Sequence, residues 1–529
     1  MKYIFIIFLS FCGLFSDHVS KAAEKINIEF EEMQIPLTIE QLSKLEKYKE
    51  DSTELIDWLK KNGLIKVLEL SKFLEFPVFK EEGLNREVLR SWIGREILTE
   101  LSKTIKVPND KNGIEIYNTI ESLLEDKKEV STLDIIKALP SEEISLDIIK
   151  ALPSEEISLD IDNLILIISF WKNELAMQQD LISKLNNLEK TNKEPFKNIK
   201  NDFNSELIKI NKKIYAPHRV KPFKIELWKN KKPDENRELI VFMPGLGGEI
   251  KNFKWIGREL AKRGWPIVFI DHRGSNLKAF KEILEGKEAI PGSEDFFLNR
   301  VKDLDAVLKA HQNGEFGLVN DSYILMGHSL GALIALLYEG NKPTNQLDER
   351  CDSALKDFAV TNLSKLLQCQ LNEISYFEKK RNNKAKAIIG FNSFGSLVWP
   401  NENSAGIKIP TLLVGGTYDL ITPLMNEQFI VFSALNNSLN RFLIIEGASH
   451  FSPIRINNSY LENNDVFKIN KSFIGSDPIL IQDLSLKFIV KFIENIKDQK
   501  IPSVIKNQNE MGLNFHLLDL ETIKEVSQN

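Results

Sequence analysis

Gly327-His328-Ser329-Leu330-Gly331 sets a serine between two glycines at G-x-S-x-G spacing. The apolar run Tyr323 to Met326 precedes it and Ala332 to Leu337 follows, so the pentapeptide stands where a strand turns into a buried helix. In so tight a turn the serine backbone is strained, and side chains at 327 and 331 would collide with the adjoining strand and helix; glycine removes that crowding. The hydroxyl is then held above a sheet with a helix N-terminus beneath it, which suits a nucleophile and a developing oxyanion. An aspartate and a histidine follow in the order such a serine needs. Asp419 ends the strand-to-loop run Thr411-Leu412-Leu413-Val414-Gly415-Gly416-Thr417-Tyr418-Asp419. His450 lies in Glu446-Gly447-Ala448-Ser449-His450-Phe451, just after the apolar run Phe442 to Ile445. The predicted roles are nucleophile for Ser329, general base and then acid for His450, and orientation of the imidazole for Asp419. The chemistry is acyl transfer.

Acyl transfer also needs donors for the oxyanion. The run Leu239 to Met243 ends in Pro244-Gly245-Leu246-Gly247-Gly248, a turn able to present backbone N–H groups. The expected pair is the N–H of Leu246 and that of Leu330, the residue after the nucleophile. G-x-x-x-x-G-K-[ST], G-x-G-x-x-G and H-E-x-x-H are absent, so neither a nucleotide cofactor nor a metal is expected. His328 flanks the serine and His272 follows a strand; both read as packing and hydrogen-bonding residues.

These residues require a scaffold that brings several strand ends together. From about residue 220, short apolar runs alternate with amphipathic stretches: Leu239–Met243, Pro266–Ile270, Tyr323–Met326, Ala387–Phe391, Thr411–Val414 and Phe442–Ile445. Phe253–Arg263 and Val301–His311 are two of the stretches between them. Continuous apolar strands with intervening helices predict a mostly parallel sheet covered on both faces, an α/β architecture whose site lies at the carboxyl ends of the strands. The hydrolytic domain is placed at 220–500, with an insertion at about 338–386 and a C-terminal tail at 501–529. The insertion holds Leu363, Leu366, Leu367 and Leu371 at helical spacing and reads as a lid over the site or as a structural helix pair.

Before this domain, residues 23–215 read as mainly helical, after two short strands around Glu31-Glu32, with breaks at Gly63, Pro77, Pro108 and Pro195. This region carries no chemical constellation. Leu133 to Ser145 recurs without change from Leu146 to Ser158, each copy a helical turn stopped by proline and restarted at a serine cap. A period of 13 residues is too short for the common solenoids and reads as a tandem duplication in a tolerant loop. At the start, one lysine precedes the 13-residue apolar run Tyr3 to Phe15, and Ser20-Lys21-Ala22 has small residues at −3 and −1 of a cut after Ala22. Residues 1–22 therefore read as an export signal, the alternatives being a buried strand or an uncleaved anchor. The mature chain is expected outside the cytoplasm: periplasm, lumen or secreted. There Cys351 and Cys369, 18 positions apart, are a candidate disulfide or two half-buried thiols.

With 529 residues, 43% apolar and 27% charged, the chain is ordinary for a folded protein of two large or three to four smaller domains. A net charge of −6 offers no basic excess for nucleic acid, and three cysteines exclude a disulfide-dense scaffold and a four-cysteine zinc site. Partners are expected to be an ester or lipid small molecule, with membrane-surface contact as an open option and no nucleic acid.

The runs Pro244–Gly248, Asp271-His272-Arg273-Gly274-Ser275-Asn276, Gly327–Gly331, Gly415–Asp419 and Gly447–Phe451 resemble those of serine α/β-hydrolases described as predicted dienelactone hydrolases or platelet-activating-factor-acetylhydrolase-like proteins. Ala23-Glu24-Lys25-Ile26-Asn27-Ile28 is similar to the start of a domain of unknown function that precedes such hydrolases in exported cyanobacterial proteins. The resemblance implies an α/β-hydrolase fold and serine-based ester chemistry. Two departures stand out. Pro244 occupies a place where members often carry histidine, and Ser329 stands where dienelactone hydrolases proper use cysteine.

The expectation is an exported serine esterase or lipase-like hydrolase acting on a carboxylic ester through an acyl-enzyme. Its activity should fall below about pH 6.5, where a histidine base becomes protonated. The rival is a non-catalytic or weakly catalytic interaction protein whose helical half binds a partner.

Overall fold

The computed structural model describes residues 25–30, 33–38, 40, 74, 77–80, 98, 158–160, 173 and 176–189, and 102–139 apart from 108–109, 111–112 and 127–128. It also describes 206–528, apart from 232–234, 277, 280–296, 356–362, 374–382, 420, 456–476, 499 and 501. The export signal expected at 1–22, most of the stretch read as helical and most of the tandem repeat lie outside these residues.

The chain divides into two compact units: Met1–Glu81 with Arg95–Leu166, and Glu82–Gly94 with Ile167–Asn529. The first contains β1 (Lys25–Phe30), β2 (Met33–Thr38), β3 (Pro77–Lys80), β4 (Ile105–Lys106), β5 (Glu129–Ser131) and β6 (Ser158–Asp160). β1 and β2 form the hairpin expected around Glu31-Glu32, in a four-stranded sheet of order β2-β1-β6-β4; β3 pairs with β5. The strands β3 to β6 fall in the region read as helical, so its described part is mixed. Helix Ile114–Asp126 buries Ile116, Ile120 and Leu124, one stripe at helical spacing. Helix Thr132–Ala138 holds the opening residues of the first copy of the repeat, Leu133 to Ala138, and begins with a reciprocal cap. Asp134 N donates to Ser131 Oγ while Ser131 N donates to Asp134 Oδ2.

The second unit is built on a ten-stranded sheet of order β15-β16-β14-β13-β12-β11-β9-β10-β8-β7. Its strands are β7 (Leu207–Ile214), β8 (Phe223–Asn230), β9 (Leu239–Met243), β10 (Ile267–Asp271) and β11 (Tyr323–His328). They continue with β12 (Ala385–Phe391), β13 (Thr411–Gly416), β14 (Arg441–Ile445), β15 (Ile505–Glu510) and β16 (Leu513–Leu518). The run from β10 through β9, β11, β12 and β13 to β14 is parallel throughout. Antiparallel strands flank it, β8 and β7 at one edge, β16 and β15 at the other. Leu239, Val241 and Met243 of β9 pack into one apolar layer, Ile240 and Phe242 into the opposite one. Burial on both faces accounts for the unbroken apolar runs.

Two boundaries differ from the sequence reading. The sheet starts at Leu207, inside the stretch read as helical up to 215, because lysine-rich LIKINKKI is a solvated edge strand. Residues 501–529 are no tail. They supply β15, β16 and helix Leu520–Gln528, whose Ile523 and Val526 are buried in the core.

Candidate active site

Ser329 stands between β11 and helix Leu330–Glu339 with φ 53° and ψ −121°, a conformation that costs a non-glycine residue about 1–3 kcal/mol. The surroundings fix it there. Ser329 N donates to Phe391 O of β12 at 2.9 Å, and Ser329 O accepts from Ala332 N at 2.9 Å and Leu333 N at 3.1 Å. The flanking glycines are sterically required. A Cβ on Gly331 would lie 1.9 Å from Met243 O, and one on Gly327 would lie 2.3 Å from the carbonyl carbon of Gly331. The helix is apolar almost all round and nearly wholly buried, which anchors the turn from below.

Asp419 follows β13 and is fully buried. Its Oδ1 accepts from Ile421 N at 3.0 Å and Thr422 N at 2.8 Å. Its Oδ2 accepts from Thr422 Oγ1 at 2.6 Å, Asn392 Nδ2 at 2.8 Å and Gln428 Nε2 at 3.0 Å. Both oxygens lie 3.1 Å from His450 Nδ1. Burial pushes this carboxyl upward, but His450 and the surrounding donors outweigh it and hold the group below the usual range. An ionised Asp419 accepts from Nδ1–H, which selects the tautomer of a neutral imidazole whose Nε2 is the acceptor.

The loop after β14 that carries His450 is itself fastened. Ser449 N donates to Ser452 Oγ at 2.9 Å, Gln482 Nε2 donates to Ser452 O at 2.9 Å, and Trp255 Nε1 donates to Pro453 O at 2.9 Å. His328, one residue before the serine, lies with its Nε2 2.9 Å from His450 O, and the two rings are 5.0 Å apart. Burial, with help from His450, pushes the His328 imidazole down to about 3, so it is neutral. The structure thus places Ser329, Asp419 and His450 after β11, β13 and β14, all at the carboxyl ends of the parallel strands. Among the described residues Ser329 Oγ has no hydrogen-bond partner, and a serine–base contact of this kind is often long until a substrate is seated.

The turn after β9 lies against the serine: a Cβ on Gly245 would lie 3.2 Å from Ser329 Cβ. The N–H groups of Leu246 and Leu330, the expected oxyanion donors, make no hydrogen bond among the described residues. They remain available to an incoming oxygen.

Sequence reasoning missed the residues beneath this turn. Arg300, on helix Asn299–Gln312, is buried and donates from Nη1 to Pro244 O at 2.7 Å and from Nη2 to Gly245 O at 3.0 Å. It also donates from Nε to Ser275 Oγ at 2.8 Å and from Nη2 to Ser275 O at 3.2 Å. Asp303, one helical turn on, accepts from His218 Nε2, Arg219 Nε and Nη2, and His272 Nδ1. Burial, together with the nearby Arg300 cation, pushes His272 down to about 4. The run from Asp271 to Asn276 therefore braces the turn after β9, with Gly247 N donating to Ser275 O at 2.9 Å. Arg300, Asp303, Leu304, Val307, Leu308 and His311 share one buried helical face, so charged residues in an apolar stripe were the available signal.

In the insertion, helices Leu347–Leu355 and Leu363–Cys369 are joined by a Cys351–Cys369 disulfide with a Cα separation of 5.6 Å. Buried Glu427 accepts from Ser364 Oγ at 2.8 Å, from Gln368 Nε2 at 3.0 Å, and from the N–H groups of Gly395 and Ser396 at 3.2 and 3.1 Å. The second helix is thus fastened to the loop that leaves β12.

Residues 22–147 match the family model described as alpha/beta hydrolase of unknown function, and 234–349, which contains Gly245 to Gly331, matches that of serine aminopeptidases, S33. Over 54 residues the chain is 32% identical to cutinase 2 of Thermobifida cellulosilytica, a match to 10% of this chain and 21% of that relative's length. The dienelactone hydrolase structure from Anabaena variabilis aligns with 54% of this chain and 98% of its own, at 14% identity and a TM-score of 0.33. The mixed, mostly parallel sheet, its helices on both faces and the two family models agree: the chain has an α/β-hydrolase fold.

Proposed function

We propose that the protein is a serine hydrolase that cleaves carboxylic esters through an acyl-enzyme. The observation that carries the reading is the ionised, fully buried Asp419 on His450, next to a serine in a strained elbow and two unused backbone N–H groups. His450 Nε2 takes the proton of Ser329 as Oγ attacks the ester carbonyl carbon. The carbonyl oxygen becomes an oxyanion received by Leu246 N–H and Leu330 N–H. The intermediate collapses, the alcohol leaves with the proton from His450, and the acyl group stays on Ser329. Water, deprotonated by the same imidazole, repeats the sequence, frees the carboxylic acid and restores the serine.

The likeness to a cutinase supports an ester substrate, while the serine-aminopeptidase model makes a peptide bond the rival. The test is hydrolysis of short and long p-nitrophenyl esters, and of an aminoacyl p-nitroanilide, by the full chain and by Ser329→Ala. Ester hydrolysis that drops by several orders of magnitude in the variant supports the reading. Turnover of the anilide alone replaces it with peptidase chemistry, and failure of Ser329 to react with a fluorophosphonate overturns it.

The reading includes export through residues 1–22, supported by the Cys351–Cys369 disulfide, a bond typical of oxidising compartments. A mature N-terminus at Ala23 in the extracytoplasmic fraction is the expected result. A full-length chain retained in the cytoplasm overturns that part.

A further inference from the structure

The proposed mechanism makes no use of Arg300, yet this buried cation spends its donors on the turn that bears one of the two oxyanion donors. Its fork reaches the successive carbonyls of Pro244 and Gly245, and its remaining contacts go to Ser275. The Gly245 carbonyl and the Leu246 N–H belong to one trans peptide plane, in which they point in opposite directions. Gripping the carbonyl therefore aims the N–H away from Arg300. A Cβ on Gly245 would lie 3.0 Å from His328 Nδ1 and 3.2 Å from Ser329 Cβ, so the peptide whose carbonyl Arg300 grips borders the serine.

We propose that Arg300 is a positioning residue of the oxyanion hole, fixing the Gly245–Leu246 peptide so that the Leu246 N–H faces the reacting carbonyl. The inference rests on the ester-hydrolase reading. A planar guanidinium suits the task because its donors lie in one rigid fork, whereas an ammonium is a point charge on a flexible stem. Ser275 sets the plane of the fork, and Ser275 O also receives Gly247 N, so both halves of the turn hang on one residue pair. Asp303 is held separately by His218, Arg219 and His272, which leaves the Arg300 donors to the turn. A neutral side chain at 300 could not satisfy two adjacent carbonyls and a serine at once.

The experiment compares wild type, Arg300→Lys and Ser275→Ala for p-nitrophenyl acetate hydrolysis and melting temperature, with crystal structures of all three. In Arg300→Lys, kcat should fall by about 10²-fold, the scale of one lost oxyanion donor, while KM stays within about twofold. A merely structural role would lower the melting temperature and leave the kcat of the folded fraction alone. A folded Arg300→Lys within about threefold of wild type in kcat overturns the proposal. Should that variant not fold, Ser275→Ala decides: a fall in kcat of at least about fivefold at unchanged melting supports it, and less than about twofold overturns it. If the wild type hydrolyses no ester, the functional reading fails on its own, and the crystals still judge Arg300. A Gly245–Leu246 peptide rotated in either variant supports the assignment; the same peptide in all three structures overturns it.

Discussion

His328 Nε2 lies 2.9 Å from the backbone carbonyl of His450, so the residue before the candidate nucleophile holds the loop of its candidate base. A carbonyl accepts, so His328 carries its proton on Nε2. The contact ties the end of β11 to the loop after β14, which are separated in the sheet by two strands. It sets the spacing of Ser329 and His450 independently of any bond between them.

Replacing His328 by Ala should therefore slow catalysis more than it destabilises the fold. Freeing the His450 carbonyl costs about 1–3 kcal/mol, and a small displacement of the imidazole lowers kcat by about 10- to 100-fold. His328→Gln, which keeps an N–H donor, should recover much of the loss. Ester kinetics of the two variants at matched folded fraction decide the matter; equal activity of Ala and Gln variants would contradict it.

Acid should unfold the protein early, and two histidines set the window. His328 and His272 are pushed down to about 3 and about 4 by burial, then by His450 and Arg300 respectively. Below pH 6.5 the unfolded chain binds protons that the folded chain refuses, so stability falls as pH drops toward 4. Each group contributes about 1.4 kcal/mol per pH unit across that window, or about 2 kcal/mol each at pH 5. Asp419 has the opposite sign of charge and a depressed carboxyl, so it costs stability only further down, below its ordinary value of 3.8. Urea unfolding at pH 7 and pH 5 tests this, with a smaller difference expected in His328→Gln. A flat stability across that range would rule the assignment out.

Asn392 combines a φ of 48° with a hydrogen bond from Nδ2 to Asp419 Oδ2. Asparagine tolerates that left-handed backbone better than most residues. Asn392→Ala loses a donor to the carboxylate and strains the turn. Asn392→Asp sets a second carboxylate against Asp419 in a buried site, raises both pKa values and weakens the partner of His450. The Asp variant should be the less active of the two, with its activity recovering least at low pH. An Asp variant as fast as wild type at pH 7 would refute this role.

Reduction of the Cys351–Cys369 bond should lower thermal stability without silencing the site. Cross-linking a loop of this length contributes about 3 kcal/mol through the unfolded chain. The second helix keeps its Glu427 contacts to Ser364 and Gln368, and neither cysteine takes part in the hydrogen bonds that hold Asp419 and His450. Melting of Cys351→Ser/Cys369→Ser beside wild type, with short-ester rates at 25 °C, should show a lower transition and a retained rate. Loss of short-ester activity in the folded double variant would show that the insertion shapes the reacting centre directly.

The central strands were legible because burial on both faces leaves uninterrupted apolar runs. Leu239–Met243 is β9 to the residue, and the other five predicted runs differ from their strands by a few terminal positions. Ser329, Asp419 and His450 stood out because each follows such a run. β7, β8, β15 and β16 did not. IKNQNE and LIKINKKI lie at the sheet edges, where polar side chains meet water and blur the pattern. Arg300 escaped notice for another reason. Charged residues on an amphipathic helix usually face solvent, and only its register with Leu304 and Val307 marks it as buried.

The pairing of β16 with β14 bears on the order in which the molecule is assembled. β14 delivers the His450 loop, and its outer neighbour is translated well after that loop. Until β16 arrives, β14 is an open edge and the candidate base is carried by an unfinished sheet. The hydrolytic unit therefore gains its complete scaffold only late in synthesis. A nascent chain stopped before Leu513 would hold the serine, the acid and the histidine while lacking the strand that fixes the last of them.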